Sequence, residues 1–69
     1  MDQLEELRRL LPHWIEHNGE HAAEFRDCAG RSGKVKDTLL AAAQLIEEAN
    51  AQLGSALDEL GGPLEHHHV

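Results

Sequence analysis

Three histidines recur every four residues in one short stretch, His13, His17 and His21. Each is followed three positions later by a glutamate: Glu16, Glu20 and Glu24. Residues three and four apart are neighbours on an α-helix. A helical reading therefore makes the histidines one stripe, with Glu20 and Glu24 beside it. Imidazoles at i and i+4 can chelate one ion, and a carboxylate can complete the set; Zn, Ni or Co would suit such donors. The candidate metal ligands are His13, His17, His21, Glu20 and Glu24. The motif lacks the His-Glu-x-x-His order of zinc proteases and has no cysteine pair. It also reverses the Glu-x-x-His order of di-iron bundles, which disfavours Fe.

A structural reading competes with the metal site and carries more weight. His-Glu pairs at this spacing serve as ordinary helix ion pairs worth about 0.2–0.5 kcal/mol. His21 would then be a seam residue, and Asn18 the polar seam residue that fixes register and oligomer state. A pH switch is a third and smaller possibility, because histidine changes charge between about pH 5 and 8.

No other spacing in the chain suits catalysis. Cys28 and His21 share a helix face, but two turns hold them about 10 Å apart, too far for proton transfer. Cys28 reads as a core thiol at a loop end. Gly30-Arg31-Ser32-Gly33-Lys34 lacks both the strand and the glycine spacing of a phosphate loop. Trp14 reads as a packing anchor. No catalytic residue is expected, and a non-enzymatic role follows.

The elements that must position the histidines are legible as two series. Leu4, Leu7, Leu11, Trp14, Asn18, His21, Phe25 and Cys28 follow spacings of three and four, and so do Val35, Leu39, Ala42, Ile46, Ala49, Leu53, Ala56 and Leu60. A period near 3.5 marks helix with a coiled-coil-like seam. Between the halves, Gly30 suits a left-handed helix end and Ser32 an N-cap, with Asp37 near the start of the second helix. Gly61-Gly62-Pro63 stops that helix. A connection this short gives antiparallel neighbours. Pairing the two series across a turn at Arg31-Ser32 gives index sums of 63 or 64 for all eight layers, with Trp14 opposite Ala49 and Phe25 opposite Leu39. The fold class expected is all-α, an antiparallel two-helix hairpin whose first helix is kinked or broken at Pro12. Proline inside a helix removes a hydrogen bond and costs about 3 kcal/mol. The unbroken series favours a kink.

Sixty-nine residues with a net charge of -7, one cysteine and two aromatics bound the function. The chain is one domain. Its acidity argues against nucleic acid. It has no apolar run of the ~20 residues that a membrane helix needs and no secretory leader, so a cytoplasmic protein is expected. A lone thiol excludes a disulfide framework. A hairpin of this size supplies only a few kcal/mol of core, while Leu10, Ile15, Ala22, Leu40, Ala43, Leu45 and Leu57 lie outside the seam. Self-association through a two-fold axis into a four-helix bundle would cover such a flank. The expected partners are a second copy and another protein. A three-helix monomer broken at Pro12 is the alternative.

The C-terminal Leu64-Glu65-His66-His67-His68-Val69 looks like a vector-derived purification tag. Residues 1–62 are read as a single hairpin domain, and 63–69 as its stop and the tag remnant. The initiating methionine and the Gly-Gly-Pro stop read as a complete small protein.

The stretch Leu11-Pro12-His13-Trp14-Ile15-Glu16-His17-Asn18-Gly19-Glu20-His21 resembles a small uncharacterised prokaryotic helical domain with a His-Trp-Ile-Glu-His-Asn-x-Glu-His signature and an Ala/Glu/Leu-rich second helix. The resemblance covers nearly all of residues 1–62. It implies a stand-alone helical hairpin and supplies no activity. Pro12 and Gly19 stand where helix formers would be expected.

Overall fold

A computed structural model describes residues 2–64. Helix α1 spans Gln3–Ala29, a short 3-10 turn spans Gly33–Val35, and helix α2 spans Lys36–Glu59. The helices pack against each other as a hairpin. At the start of α1, the Asp2 carboxylate accepts a hydrogen bond from the Leu4 N–H at 2.9 Å. Glu5 and Glu6 lie in the first turn and Arg26 in the last, charges that oppose the helix dipole at both ends.

Helix α1 runs through Pro12 without a break, so the three-helix alternative does not occur. Proline has no N–H, which deprives the Arg8 carbonyl of its helical donor. The end of the chain supplies one. The Leu64 N–H donates to the Arg8 carbonyl at 3.4 Å, and Arg8 Nε donates to the Gly62 carbonyl at 2.6 Å. Two glycines make this return possible. Gly61 and Gly62 have φ of 99° and 91°, a region that L side chains disfavour. Their amides close the end of α2 on the Asp58 and Leu57 carbonyls at 3.0 and 2.9 Å, the paired bonds of a Schellman cap.

The connection differs from expectation in two details. Gly30 is right-handed, with φ of -63°, because tight right-handed turns continue past it, the Arg31 and Ser32 N–H groups donating to the Cys28 and Ala29 carbonyls at 3.0 and 3.2 Å. Ser32 does not cap the second helix. Its hydroxyl donates backward to the Cys28 carbonyl at 2.6 Å and so satisfies an end group of α1.

The seam is also rotated from the expected one. The buried apolar residues are Leu11, Ala22 and Ala29 on α1 and Ala43 and Leu57 on α2. Ile15, Asn18 and Phe25, with Leu39, Leu40, Ile46, Asn50 and Leu53, are half-buried around them. Trp14 remains 43% exposed, and His21, Cys28, Val35 and Ala49 are exposed. The expected layers of Trp14 on Ala49 and His21 on Ala42 are therefore not the core, and Cys28 is not a core thiol.

The register is fixed by a polar pair. Asn18 Nδ2 donates to Asn50 Oδ1 at 3.0 Å, and Asn50 Nδ2 donates to the Ile15 carbonyl at 2.9 Å. These residues have an index sum of 68, which puts the apex at Lys34, in the middle of the 3-10 turn. The expected sum of 63 or 64 is thus displaced by about one helical turn. Arg26 adds a two-point clamp to Glu47, at 3.2 Å from Nε and 2.5 Å from Nη2.

Candidate functional site

The histidine ridge lies on the exposed flank of α1, beside the buried stripe, and His13 and His17 border a cleft that reaches Leu53 of α2. At about 100° per residue, His21 and His17 fall progressively further from the Leu11–Ala22–Ala29 line, and His13 and Glu20 point nearly opposite to it. His13, His17, Glu20, His21 and Glu24 are all exposed.

Two of the three histidines meet. His17 Nε2 and His21 Nε2 are 3.1 Å apart, with the rings edge to face at a centroid separation of 4.6 Å and an interplanar angle of 86°. The other nitrogen of His21, Nδ1, lies 3.1 Å from Glu24 Oε1. A line of polar groups therefore runs His17, His21, Glu24 along two turns of the helix. Of the three His-x-x-Glu pairs, 21/24 forms this contact. Phe25 stands next in the row, its ring centroid 6.4 Å from that of His21.

His13 and Glu20 belong to a different feature. With Trp14, Glu16, His17, Asn18 and Leu53 they line an open cleft of about 540 Å³. The five candidate ligands do not converge: among the described residues, no three His, Cys, Asp or Glu side chains are grouped closely enough to hold a metal ion. The arrangement offers two imidazole nitrogens 3.1 Å apart, with a carboxylate behind one of them. Chemically it can share a proton or bind a cation, and no nucleophile lies in the row.

Sequence reasoning did not single out Asn50. The signal was present, because an asparagine interrupts the apolar positions of α2 as Asn18 interrupts those of α1. Two half-buried amides on facing helices are natural partners for one another.

The opposite flanks of the hairpin differ in character. Trp14 and Leu53 line one cleft, which places the Trp14 flank of α1 and the Leu53 flank of α2 on the same face. Continuing each flank by threes and fours gives Leu7, Trp14, His21 and Cys28 on α1 and Ala42, Ala49 and Ala56 on α2. The other face carries the Arg26–Glu47 ion pair and the Arg8–Gly62 hydrogen bond. One face is thus closed by charge and backbone contacts, while the other is open and mixed, with Trp14, Leu53 and the alanines beside His13, Glu16, His17 and Glu20.

A two-helix all-α domain is the class of protein that these features define. No helix among the described residues is long and apolar enough to cross a membrane. The chain belongs to a family described as a domain of unknown function (DUF8180), whose model matches residues 7–60. That match takes in both helices, the connecting turn and the whole histidine ridge. No curated protein and no solved structure matches the chain.

Proposed function

We propose that this domain is a non-enzymatic, cytoplasmic self-association module, in which two hairpins pack their open faces together as a four-helix bundle and present the combined surface to another protein. The observation that carries this reading is the single-layer shape. The molecule measures 47 × 26 × 16 Å, and a helix with its side chains is about 10–12 Å across. It is two helices wide and little more than one deep. Stable domains bury the apolar face of one layer against a second, and the open face has the material for one. Trp14 at 43% exposure and the half-buried Phe25, Leu39, Ile46 and Leu53 project beside the small side chains of Ala42, Ala49 and Ala56. Large side chains on one helix opposite small ones on another suit close packing.

A second copy is the occupant this face fits best. A two-fold axis turns the same Trp14 flank toward the alanine flank of its partner, so one patch is both knob and hole. The single thiol, Cys28, is exposed and free, which fits a reducing compartment.

Sedimentation velocity on the full chain tests the proposal. The expected species is a dimer of twice 7.6 kDa. Ala49→Glu is the decisive variant. Ala49 is exposed in the single hairpin, so the substitution leaves one chain's helix intact, but it brings two buried carboxylates together in the dimer. Monomeric wild-type protein at concentrations up to about 1 mM, where even millimolar affinity would register, would refute the reading. An A49E variant as dimeric as wild type would refute it too.

A further inference from the structure

We infer that His17 and His21 form a two-nitrogen chelate for a transition-metal dication of the Zn, Ni or Co type, with Glu24 as the positioning residue that holds the His21 ring. The ligands lie on one chain; because His21 sits on the open face that a second copy would cover, metal binding and self-association compete, and the titration is read at concentrations where the chain is monomeric.

Geometry comes first. Two imidazole nitrogens that share one ion at a metal–nitrogen distance of about 2.0–2.1 Å lie roughly 2.9 Å apart for a right angle and roughly 3.4 Å apart for a tetrahedral one. The observed Nε2–Nε2 separation of 3.1 Å falls between these values. The same type of nitrogen on both rings lies at the contact, and an i, i+4 helical spacing brings them there without backbone change.

The second argument is orientation. A ligating histidine characteristically gives its other ring N–H to a carboxylate, which fixes the tautomer and raises the basicity of the ligating nitrogen. His21 has that arrangement, with Nδ1 3.1 Å from Glu24 Oε1. With the proton held on Nδ1, the lone pair of His21 is directed through Nε2, toward His17. Exposure then leaves room for the remaining coordination positions to be filled by water, because the His21 side chain is 47% exposed and Glu24 69%. His13 and Glu20 border the neighbouring cleft and take no part in the chelate. The narrower set is therefore His17 and His21 as ligands, with Glu24 behind them.

The same 3.1 Å contact would also hold a shared proton between two imidazoles. A metal ion replaces that proton in the same geometry, because ligating imidazoles must be neutral and binding displaces protons. The two occupants compete for one position.

The test is isothermal titration of ZnCl₂, and separately NiCl₂, into the full chain carrying His66→Ala, His67→Ala and His68→Ala, since the terminal histidines would bind metal in their own right. Saturable binding of no more than one ion per chain is expected. H17A and H21A should each abolish it, H13A should leave it unchanged, and Glu24→Gln should weaken it by about 10-fold or more, the usual effect of losing an outer carboxylate. Helix content by circular dichroism should be unchanged in the H13A, H17A, H21A and E24Q variants, because those four positions are exposed. As a second readout, the imidazole ¹⁵N resonances of Nε2 in His17 and His21 should move together on adding Zn, and those of His13 should not. The inference is overturned by absence of saturable binding, by full binding in H17A or H21A, or by an E24Q variant indistinguishable from wild type.

Discussion

The Asn18–Asn50 pair allows the register to be tested by energetics alone. Replacing Asn50 with alanine removes two hydrogen bonds, one from Asn18 Nδ2 at 3.0 Å and one to the Ile15 carbonyl at 2.9 Å. Each such bond contributes about 0.5–1.5 kcal/mol net. Both amides are half-buried, so water recovers part of the loss, and a total near 1–2 kcal/mol is expected. For a chain of this size, each kcal/mol lowers the melting temperature by about 4–8 °C. N50A should therefore melt roughly 5–15 °C below wild type. The discriminating quantity is the coupling in a double-mutant cycle with N18A. Direct contact predicts a non-additive term of about 0.5–1.5 kcal/mol. In the register with index sums of 63 or 64, Asn18 faces Ile46 and has no contact with Asn50, so the two effects would simply add. Circular dichroism melts at one fixed protein concentration measure the cycle, because any association makes the midpoint concentration-dependent. Additivity within about 0.3 kcal/mol would refute the observed register. The paired variant N18L/N50L supplies the converse. Removing both polar partners together should be neutral or stabilising while loosening the choice between neighbouring registers.

Three further outcomes follow from the ends of the helices. Pro12→Ala should raise the melting temperature, because it restores a helical donor to the Arg8 carbonyl. The same change should accelerate amide exchange at Leu64, which now donates to that carbonyl; unchanged exchange would show that the return of the chain does not depend on Pro12. Gly62→Ala should destabilise by about 1–2 kcal/mol, since its φ of 91° is unfavourable for an L side chain, and a melting temperature equal to wild type would contradict the glycine cap. Asp2→Ala should cost about 0.5–2 kcal/mol by removing the acceptor for the Leu4 N–H, read as increased fraying of α1 in backbone amide exchange.

Helix content, helix number and hairpin order were all legible in the sequence, because each rests on local periodicity. The choice of seam was not, and particular residues explain why. On α1, one series through Leu11, Trp14, Asn18, His21 and Phe25 and another through Leu11, Ile15, Asn18, Ala22 and Phe25 share three of their five members. On α2, Leu39, Ile46 and Leu53 serve two series, one passing through Ala42 and Ala49 and the other through Ala43 and Asn50. Either choice gives an unbroken pattern of threes and fours. Volume matching did not separate them, because alanine is available on both, and a tryptophan opposite an alanine is as plausible at a dimer surface as inside a hairpin. Polar satisfaction does separate them: only the register that brings Asn18 to Asn50 leaves neither amide facing an aliphatic side chain. The ridge was partly legible for a related reason. Four-residue spacing fixes which side chains neighbour one another, but rotamers decide which nitrogens meet, and those decided for His17 and His21 over His13.

The rejected seam remains informative. Residues such as Trp14, Ala42 and Ala49 keep an uninterrupted helical period although the hairpin does not bury them. A helix facing solvent needs only enough apolar residues to cover its own core, a stripe of about 100°. A chain that carries two adjacent seams on each helix has one more than a lone hairpin uses. Burying the second seam without inserting Trp14 into the first requires another layer, and the described residues form no third α-helix to supply it, since α1 runs unbroken through Pro12. Trp14→Ala separates this account from one in which the tryptophan serves its own chain. If Trp14 also packs against a second copy, W14A should weaken the dimer by more than it lowers the stability of the dilute monomer, because 43% of the residue is left in contact with water by its own hairpin. A large loss of monomer stability with the dimer intact would place Trp14 in the intramolecular core and remove the case for a second layer.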